Sequence, residues 1–153
     1  MGRIVAIALV STLFLGATAF AADAVVGTWK LNVTKSKFSG TAPKSATRVY
    51  TESANDMTLD QNLVGADGKE MSNHVTHKYD GKDYPVTCNP HGDSVAAKVI
   101  DAHTTDFTIK RGGKAVASVH RVVSADGKTL TVHNKGTHAD GKPYDDTLVF
   151  DKQ

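Results

Sequence analysis

The sequence predicts an all-β protein whose antiparallel strands run up and down and close into a barrel of about eight to ten strands. Apolar and β-branched residues alternate at a period of two in short runs, as in 25–33 and 57–63, which is typical of half-buried strands. No window of about eleven or more residues keeps the apolar spacing of a helix. Closing such a sheet into a barrel removes its exposed edges.

Recurring turns separate the runs. Asp-Gly-Lys occurs at 67–69, 80–82, 126–128 and 140–142, with a Gly-Gly-Lys turn at 112–114. Asp-Gly supplies the positive φ that tight hairpins require. The segment 34–44 is too short and too rich in glycine and proline for a helix pair, so we expect a loop. The predicted strands cover residues 25–33, 45–53, 56–64, 69–79, 83–88, 94–100, 105–111, 114–123, 128–135 and 144–151.

Residues 1–21 have the features of a secretory signal peptide, with Arg3 before an apolar run and a small-x-small end at Ala19-Phe20-Ala21. The sequence therefore predicts an exported protein, periplasmic or extracellular, with no integral membrane segment after processing. Removing 21 of the 153 residues leaves 132, which we interpret as one monomeric domain, 22–153. Its balance of 17 basic and 16 acidic residues argues against nucleic-acid partners.

Gly27-Thr28-Trp29 on the first strand of an exported meander resembles the opening motif of the lipocalin and fatty-acid-binding (calycin) superfamily. Longer stretches, GTWKLNVTKSKF, KYDGKDYPVT and ADGK, resemble small secreted bacterial proteins of unassigned function. The superfamily resemblance implies a lipocalin-like barrel whose floor is closed by Trp29. It also implies that Arg121, from a late strand, packs against Trp29 in a structural role.

The sequence departs from that superfamily in two places. Fatty-acid-binding proteins carry a helix-turn-helix lid after the first strand, where this chain has only the 34–44 loop. They also carry an Arg-x-Tyr near the C-terminus that holds a ligand carboxylate, whereas the last strand here reads Thr-Leu-Val-Phe-Asp at 147–151. An Arg48-x-Tyr50 pair occurs on the second strand, but the resemblance does not transfer the role to it.

The hairpin 69–88 suggests a ligand site. A two-residue Asp80-Gly81 turn would pair Val75 with Val86, and the apolar residues of that face should point inward. Polar residues on the same face would then converge inside the barrel, as in small-molecule sites. They could equally bond one another or buried water. The predicted ligand-binding residues are Trp29, Arg48, Tyr50, Met71, Asn73, His77 and Tyr84.

The histidines give no metal prediction. His74 and His77 should point to opposite faces of a strand. His120 and His133 would oppose each other across a hairpin with a two-residue turn, whereas a bulge would place His120 opposite Val132. Two imidazoles are fewer than a catalytic zinc usually has. We expect no metal and no cofactor.

Cys88 is the only cysteine, so no internal disulfide is possible, and we expect it to be a small buried residue. Catalytic motifs such as Gly-x-Ser-x-Gly or His-Glu-x-x-His do not occur. The preferred hypothesis is a non-catalytic binding protein for a small, largely apolar molecule. One alternative is an envelope structural or interaction protein whose barrel is filled by its own side chains, with a cavity below about 100 Å3. A haem or metal protein, or an enzyme, using His77 is a further alternative.

Overall fold

The structure is a computed structural model that describes residues 23–153, so the predicted signal peptide lies outside the described residues. Strands form where the alternating runs occur, with one short 3-10 turn at Val33–Lys35. The ten strands are β1 Gly27–Leu31, β2 Ser45–Ser53, β3 Asp56–Val64, β4 Glu70–His77, β5 Asp83–Pro85, β6 Ser94–Val99, β7 Thr104–Arg111, β8 Lys114–Val123, β9 Thr129–Thr137 and β10 Pro143–Lys152.

All ten strands belong to one antiparallel sheet with the order β4-β3-β2-β1-β10-β9-β8-β7-β6-β5. Each strand is paired with its sequence neighbour except at β4 and β5, and β1 pairs with β10. Among the described residues, a single bridge, His74 to Thr87, joins β4 to the segment that follows β5. The predicted all-β fold and the near-closed barrel are therefore confirmed. Among the described residues, no helix is long and apolar enough to cross a membrane.

The Asp-Gly-Lys turns share one side-chain to backbone hydrogen bond. In each turn the aspartate Oδ1 accepts the backbone N–H of the lysine two residues later, at 3.1 Å. At the β8–β9 connection, Gly127 adopts φ +68°, a conformation that glycine reaches without a side-chain clash. This connection pairs Val123 with Leu130 and His120 with His133, so the register without a bulge is the observed one.

Pro85 removes one backbone donor from the opening between β4 and β5. The one bridge follows the register predicted for the hairpin, but the rest of that ladder does not form. The N–H of Val86 donates to Asp93 on the β6 side and that of Thr87 donates to His74 on the β4 side. Since these directions alternate along a strand, Pro85 lacks an N–H on the side that faces β4.

Cys88 lies just past this bridge, in a left-handed conformation with φ +57°. The predicted fifth strand ran to residue 88, whereas β5 ends at Pro85. The side chain of Cys88 is exposed, so the prediction of a buried cysteine is wrong. Its thiol is placed by a turn, where the period-two alternation of a strand no longer applies.

The core fills one end of the barrel, here called the floor end. Trp29 is fully buried there and donates from Nε1 to the Val25 carbonyl at 2.7 Å. The cation over the indole ring is Lys152, at 4.9 Å from Nζ to the centroid. Arg121 lies over the rings of Tyr50, Tyr79 and Phe107 instead. Arg121 is buried, and its packing differs from the predicted packing against Trp29.

Candidate ligand-binding cavity

A cavity of about 550 Å3 occupies the barrel above this floor. That volume lies within the range of about 300–1,000 Å3 that is usual for small-molecule sites. The walls are mainly apolar, with leucine, valine and phenylalanine side chains from most strands. The outer part is lined by the loops 38–43 and 88–91, which lie at the end opposite the floor. The volume is far above that expected for a barrel filled by its own side chains.

The wall formed by β2, β3 and β4 carries a row of polar residues. Arg48 is paired with Gln61, and Gln61 is paired with Asn73, so the three lie side by side on the inner face. We call them the polar row. Apolar residues flank it on the same face. The flanking rows are Ala46, Leu63 and Met71 toward the open end and Tyr50, Leu59 and Val75 toward the floor.

Within the polar row, Arg48 is held by two interactions. Its Nε donates to Gln61 Oε1 at 2.7 Å, and its guanidinium carbon lies 4.7 Å from the centroid of the Phe150 ring. The ring orients the planar cation without neutralising it. Among the described residues, no carboxylate lies within 4.0 Å of the Arg48 guanidinium. Arg48 therefore presents an uncompensated positive charge to the cavity.

Arg121 lies at the floor of the cavity and is only 2% exposed. Its Nη2 donates to the Tyr79 hydroxyl at 2.9 Å and to Thr105 Oγ1 at 3.0 Å. The Tyr79 hydroxyl in turn donates to Asp23 Oδ2 at 2.6 Å, and this carboxylate oxygen lies 3.8 Å from Arg121 Nη2. Arg121, Tyr79, Thr105 and Asp23 form a connected group, here called the floor network.

His77 lies beside the floor network and is 2% exposed. Its ring meets the rings of Tyr79 and Phe107 edge to face, with centroids 5.3 and 5.4 Å away. Burial lowers the pKa of His77 to about 4, and the nearby Arg121 cation acts in the same direction. The histidine is therefore neutral at pH 7. Burial also raises the pKa of Tyr79, which keeps its hydroxyl protonated and able to donate to Asp23.

Unpartnered polar atoms are concentrated around the cavity. Among the described residues, six buried side-chain nitrogen or oxygen atoms have no hydrogen-bond partner, and all belong to residues that line this cavity. Such atoms are rare, because an unpaired buried polar group is costly. Their grouping indicates that the cavity suits an occupant with polar as well as apolar groups. The atoms are Asn73 Oδ1, His77 Nδ1 and Nε2, His91 Nδ1, Arg121 Nη1 and Asn134 Oδ1.

An aromatic cluster lies at the open end. The rings of His91, His138 and Tyr144 pack together with centroid separations of 4.6–5.5 Å. Arg111 Nη2 donates to the His91 carbonyl at 2.8 Å, which fixes the 88–91 loop against β7. Burial lowers the pKa of His91, and the neighbouring His138 adds to this effect. The cluster joins the 88–91 loop to the β9–β10 hairpin across the mouth of the cavity.

Five of the seven predicted ligand-binding residues line the cavity: Arg48, Tyr50, Met71, Asn73 and His77. Trp29 and Tyr84 do not. Trp29 is sealed in the floor, and the Tyr84 hydroxyl donates to Asp80 Oδ2 at 3.0 Å in an exposed turn. Tyr84 is paired with the cavity-lining Val95 on β6, but its hydroxyl bonds Asp80 and the residue does not line the cavity.

Three further residues line the cavity that were not predicted from the sequence: Gln61, His91 and Asn134. A sequence clue existed for Gln61, since it occupies an inward position in the alternating run 57–63. Asn134 follows Leu130 and Val132 at the same spacing on β9. No such clue existed for His91, because its position depends on a loop that crosses the open end.

The outward histidines form pairs with aspartates. His74 and His77 point to opposite faces as predicted, and the outward His74 bonds Asp60 at 2.6 Å. His120 and His133 bond Asp106 and Asp145, also at 2.6 Å. Because these aspartates lie on β7 and β10, on either side of the β8–β9 pair, each ring leans away from the other. Within residues 23–153, no group of three or more potential metal ligands is suitably placed.

Comparisons with known proteins identify the fold. No family model matches the sequence, and no curated protein matches it. Among solved structures, the zebrafish ileal bile acid-binding protein complexed with cholic acid is similar, with a TM-score of 0.52. The alignment covers 85% of this chain and 99% of that one at 10% sequence identity. The chain has the lipocalin and fatty-acid-binding type of β-barrel fold. At this identity the likeness concerns fold alone.

Proposed function

We propose that this protein is an exported, non-catalytic binding protein that holds a small, largely apolar molecule inside its barrel. One observation carries the proposal: the 550 Å3 cavity is mainly apolar, and all the unpartnered buried polar atoms of the described residues belong to side chains that line it. Apolar walls with a few polar groups are the usual composition of a small-molecule site. The signal-like composition of residues 1–21 supports the exported location.

The fold neighbour adds independent support, since that protein was solved with cholic acid. The cavity volume argues against the filled-barrel alternative. An acid–base role for His77 has weaker support, because its ring nitrogens have no carboxylate partner and the nearest such group, Asp23, bonds Tyr79 instead. We therefore place the function in binding.

A neutral fluorescent probe tests the proposal directly. N-phenyl-1-naphthylamine brightens in apolar surroundings and carries no charge, so its binding depends on the cavity alone. Leu63→Trp places a large ring in the cavity, whereas Asn62→Trp places the same ring on the exposed outer face of the same strand. We expect the probe to bind wild type and Asn62→Trp alike, and Leu63→Trp at least about tenfold more weakly. Equal binding by all three proteins would reject an interior site.

Native mass spectrometry of protein recovered from its own host without denaturation gives the complementary test. We expect a discrete mass above that of the 22–153 chain, lost on denaturation. The recovered mass also tests export, because an unprocessed chain retains residues 1–21. A chain of 22–153 with no added mass, together with no probe binding, would leave the proposal without support.

A further inference from the structure

We infer that the molecule held in this cavity carries a carboxylate, and that the polar row of Arg48, Gln61 and Asn73 binds it. The inference rests on the proposed function, because it assigns ligand chemistry and a binding position within that cavity. It places the charged group on the β2–β3–β4 wall and leaves Arg121 to the floor network.

The register of the sheet brings the polar row together. Arg48, Gln61 and Asn73 are direct cross-strand partners on three adjacent strands. Side chains of such partners on the same face lie about 4.5–5.5 Å apart at Cβ. The three polar groups thus form one patch in an otherwise apolar wall, at a level where a ligand could have its polar end.

The hydrogen bonds already made leave donors free. Gln61 accepts from Arg48 Nε through Oε1, so its amide nitrogen remains as the donating end. The Asn73 oxygen is covered, which leaves the amide nitrogen as its accessible end. Among the described residues, no hydrogen bond uses Arg48 Nη1 or Nη2, Gln61 Nε2 or Asn73 Nδ2. A group that only accepts hydrogen bonds suits these four free donors, and an ionised carboxylate is such a group, while the buried Asn73 Oδ1 would stay without a partner.

The charges favour the same ligand group. The only acidic residue among those that line the cavity is Asp146, and its Oδ1 accepts from both Ser39 N and Ser39 Oγ at 2.6 Å. Among the described residues, no carboxylate, Asp146 included, lies within ion-pair distance of Arg48. A half-buried cation without an ion-pair partner attracts an anion more strongly than one in open water, because the surrounding protein lowers the effective dielectric. A guanidinium and a carboxylate also match in geometry.

Arg121 is a poorer carboxylate site although it lies in the same cavity. Its guanidinium is covered by three aromatic rings, and its Nη2 is engaged by Tyr79 and Thr105. Asp23 already supplies a negative charge nearby. Its Nη1 has no hydrogen-bond partner but is fully buried, so a ligand anion could reach it only if the surrounding groups moved, whereas the terminal nitrogens of Arg48 make no hydrogen bond to the described residues.

A matched pair of ligands tests the inference. Decanoate and 1-decanol have the same chain length and differ in the charge of the head group. Isothermal titration calorimetry at pH 7 should show decanoate binding wild type about tenfold or more tightly than 1-decanol. Arg48→Met should weaken decanoate about tenfold or more and change 1-decanol less than about twofold. Arg48→Lys, which keeps the charge without the planar fork, should fall between wild type and Arg48→Met.

Lys98→Met is the matched control, since it removes one positive charge from an exposed position on β6. It should bind both ligands as wild type does. Gln61→Leu provides a second variant of the polar row that keeps every charge, and it should weaken decanoate by less than Arg48→Met does.

The outcomes separate the inference from the function. If wild type binds both ligands equally and Arg48→Met changes neither, the carboxylate assignment is overturned while the cavity function stands. If decanoate binding depends on Arg121 and not on Arg48, the position is wrong. If neither ligand binds and N-phenyl-1-naphthylamine does not distinguish Leu63→Trp from Asn62→Trp, the proposed function itself fails.

Discussion

Two arginines line the same cavity and differ in almost every physical respect. Arg121 is 2% exposed, lies among three aromatic rings and shares its charge with Asp23 through Tyr79. Arg48 has one side-chain hydrogen-bond partner, Gln61, and one ring, Phe150. The same residue type thus has a carboxylate nearby at the floor, whereas on the wall no described carboxylate lies within 4.0 Å of it.

The difference lies in the partners, because both arginines point inward. A buried charge must be paired to be tolerated, and the floor network supplies the pairing for Arg121. Arg48 is tolerated without an acid because the cavity gives its terminal nitrogens space. We therefore expect substitutions at the floor network to change stability, and substitutions in the polar row to change binding.

The largest effect should come from Arg121→Ala. It leaves the Tyr79–Asp23 pair without its cation and opens space among three rings, so the free energy of unfolding should fall by about 3–5 kcal/mol. Urea unfolding followed by circular dichroism measures this. Lys98→Ala should change the free energy of unfolding by less than about 0.5 kcal/mol. A loss below about 1 kcal/mol for Arg121→Ala would show that the floor does not need its cation.

The next effect is a pH dependence from His77. The pKa of His77 in the folded protein, about 4, lies below its ordinary value of 6.5. Between these values the unfolded chain binds more protons, so stability is present above pH 6.5 and is lost as the pH falls toward 4. The full loss is roughly 3 kcal/mol. Urea unfolding between pH 7 and 4 should therefore show a steeper decline for wild type than for His77→Leu, and parallel curves would contradict the assignment.

A smaller effect isolates the bridge between Arg121 and Asp23. Tyr79→Phe removes the hydroxyl that accepts from Arg121 and donates to Asp23 while keeping the ring. We expect the free energy of unfolding to fall by about 1–2 kcal/mol. Chemical denaturation at pH 7 measures the change, with Tyr84→Phe as control, since that hydroxyl bonds only Asp80 in an exposed turn. Equal effects of the two substitutions would break the distinction between a buried network and a surface bond.

The smallest stability effect should come from Arg48→Met. Only its bond to Gln61 and its contact with Phe150 are lost, and methionine keeps most of the apolar contact, so we expect a change within about 1 kcal/mol. Thermal unfolding without ligand provides the measurement. A destabilisation as large as that of Arg121→Ala would show that Arg48 is a structural residue and would remove the contrast between the two.

The sequence predicted the barrel well because its pattern is local. Period-two alternation and Asp-Gly turns depend on neighbouring residues only, and they placed the strands, while they left two registers open for His120 and His133, of which the structure has the one without a bulge. The same alternation put Arg48, Asn73 and His77 on the inner face. The sequence could not predict which residues the long lysine and arginine side chains contact. The cation over Trp29 is Lys152, because the choice between Lys152 and Arg121 depends on packing across several strands.

The errors at Cys88 and Tyr84 share one cause. The prediction extended the alternation through Pro85, although proline cannot donate to the neighbouring β4 strand. Only the His74–Thr87 bridge of the predicted ladder forms, Cys88 follows it in an exposed left-handed turn, and Tyr84 stays half-buried on β5 with its hydroxyl bonded to Asp80. A proline in a predicted strand already indicates an edge. Which edge remains open depends on how the whole sheet closes, which no local pattern contains.

The opening beside Pro85 also sets how far the shape of the protein can change. In a fully laddered barrel, strand number and stagger fix the radius, so the interior has one size. Here the hydrogen-bonded ladder is a strip of ten strands whose two ends meet at one bridge, His74 to Thr87. Between β4 and β5, side-chain packing therefore sets the circumference of the barrel, whereas a row of backbone hydrogen bonds sets it elsewhere. Along this line the interior can widen when one backbone bridge, His74 to Thr87, breaks. Every other strand pair then keeps its hydrogen-bonded partners.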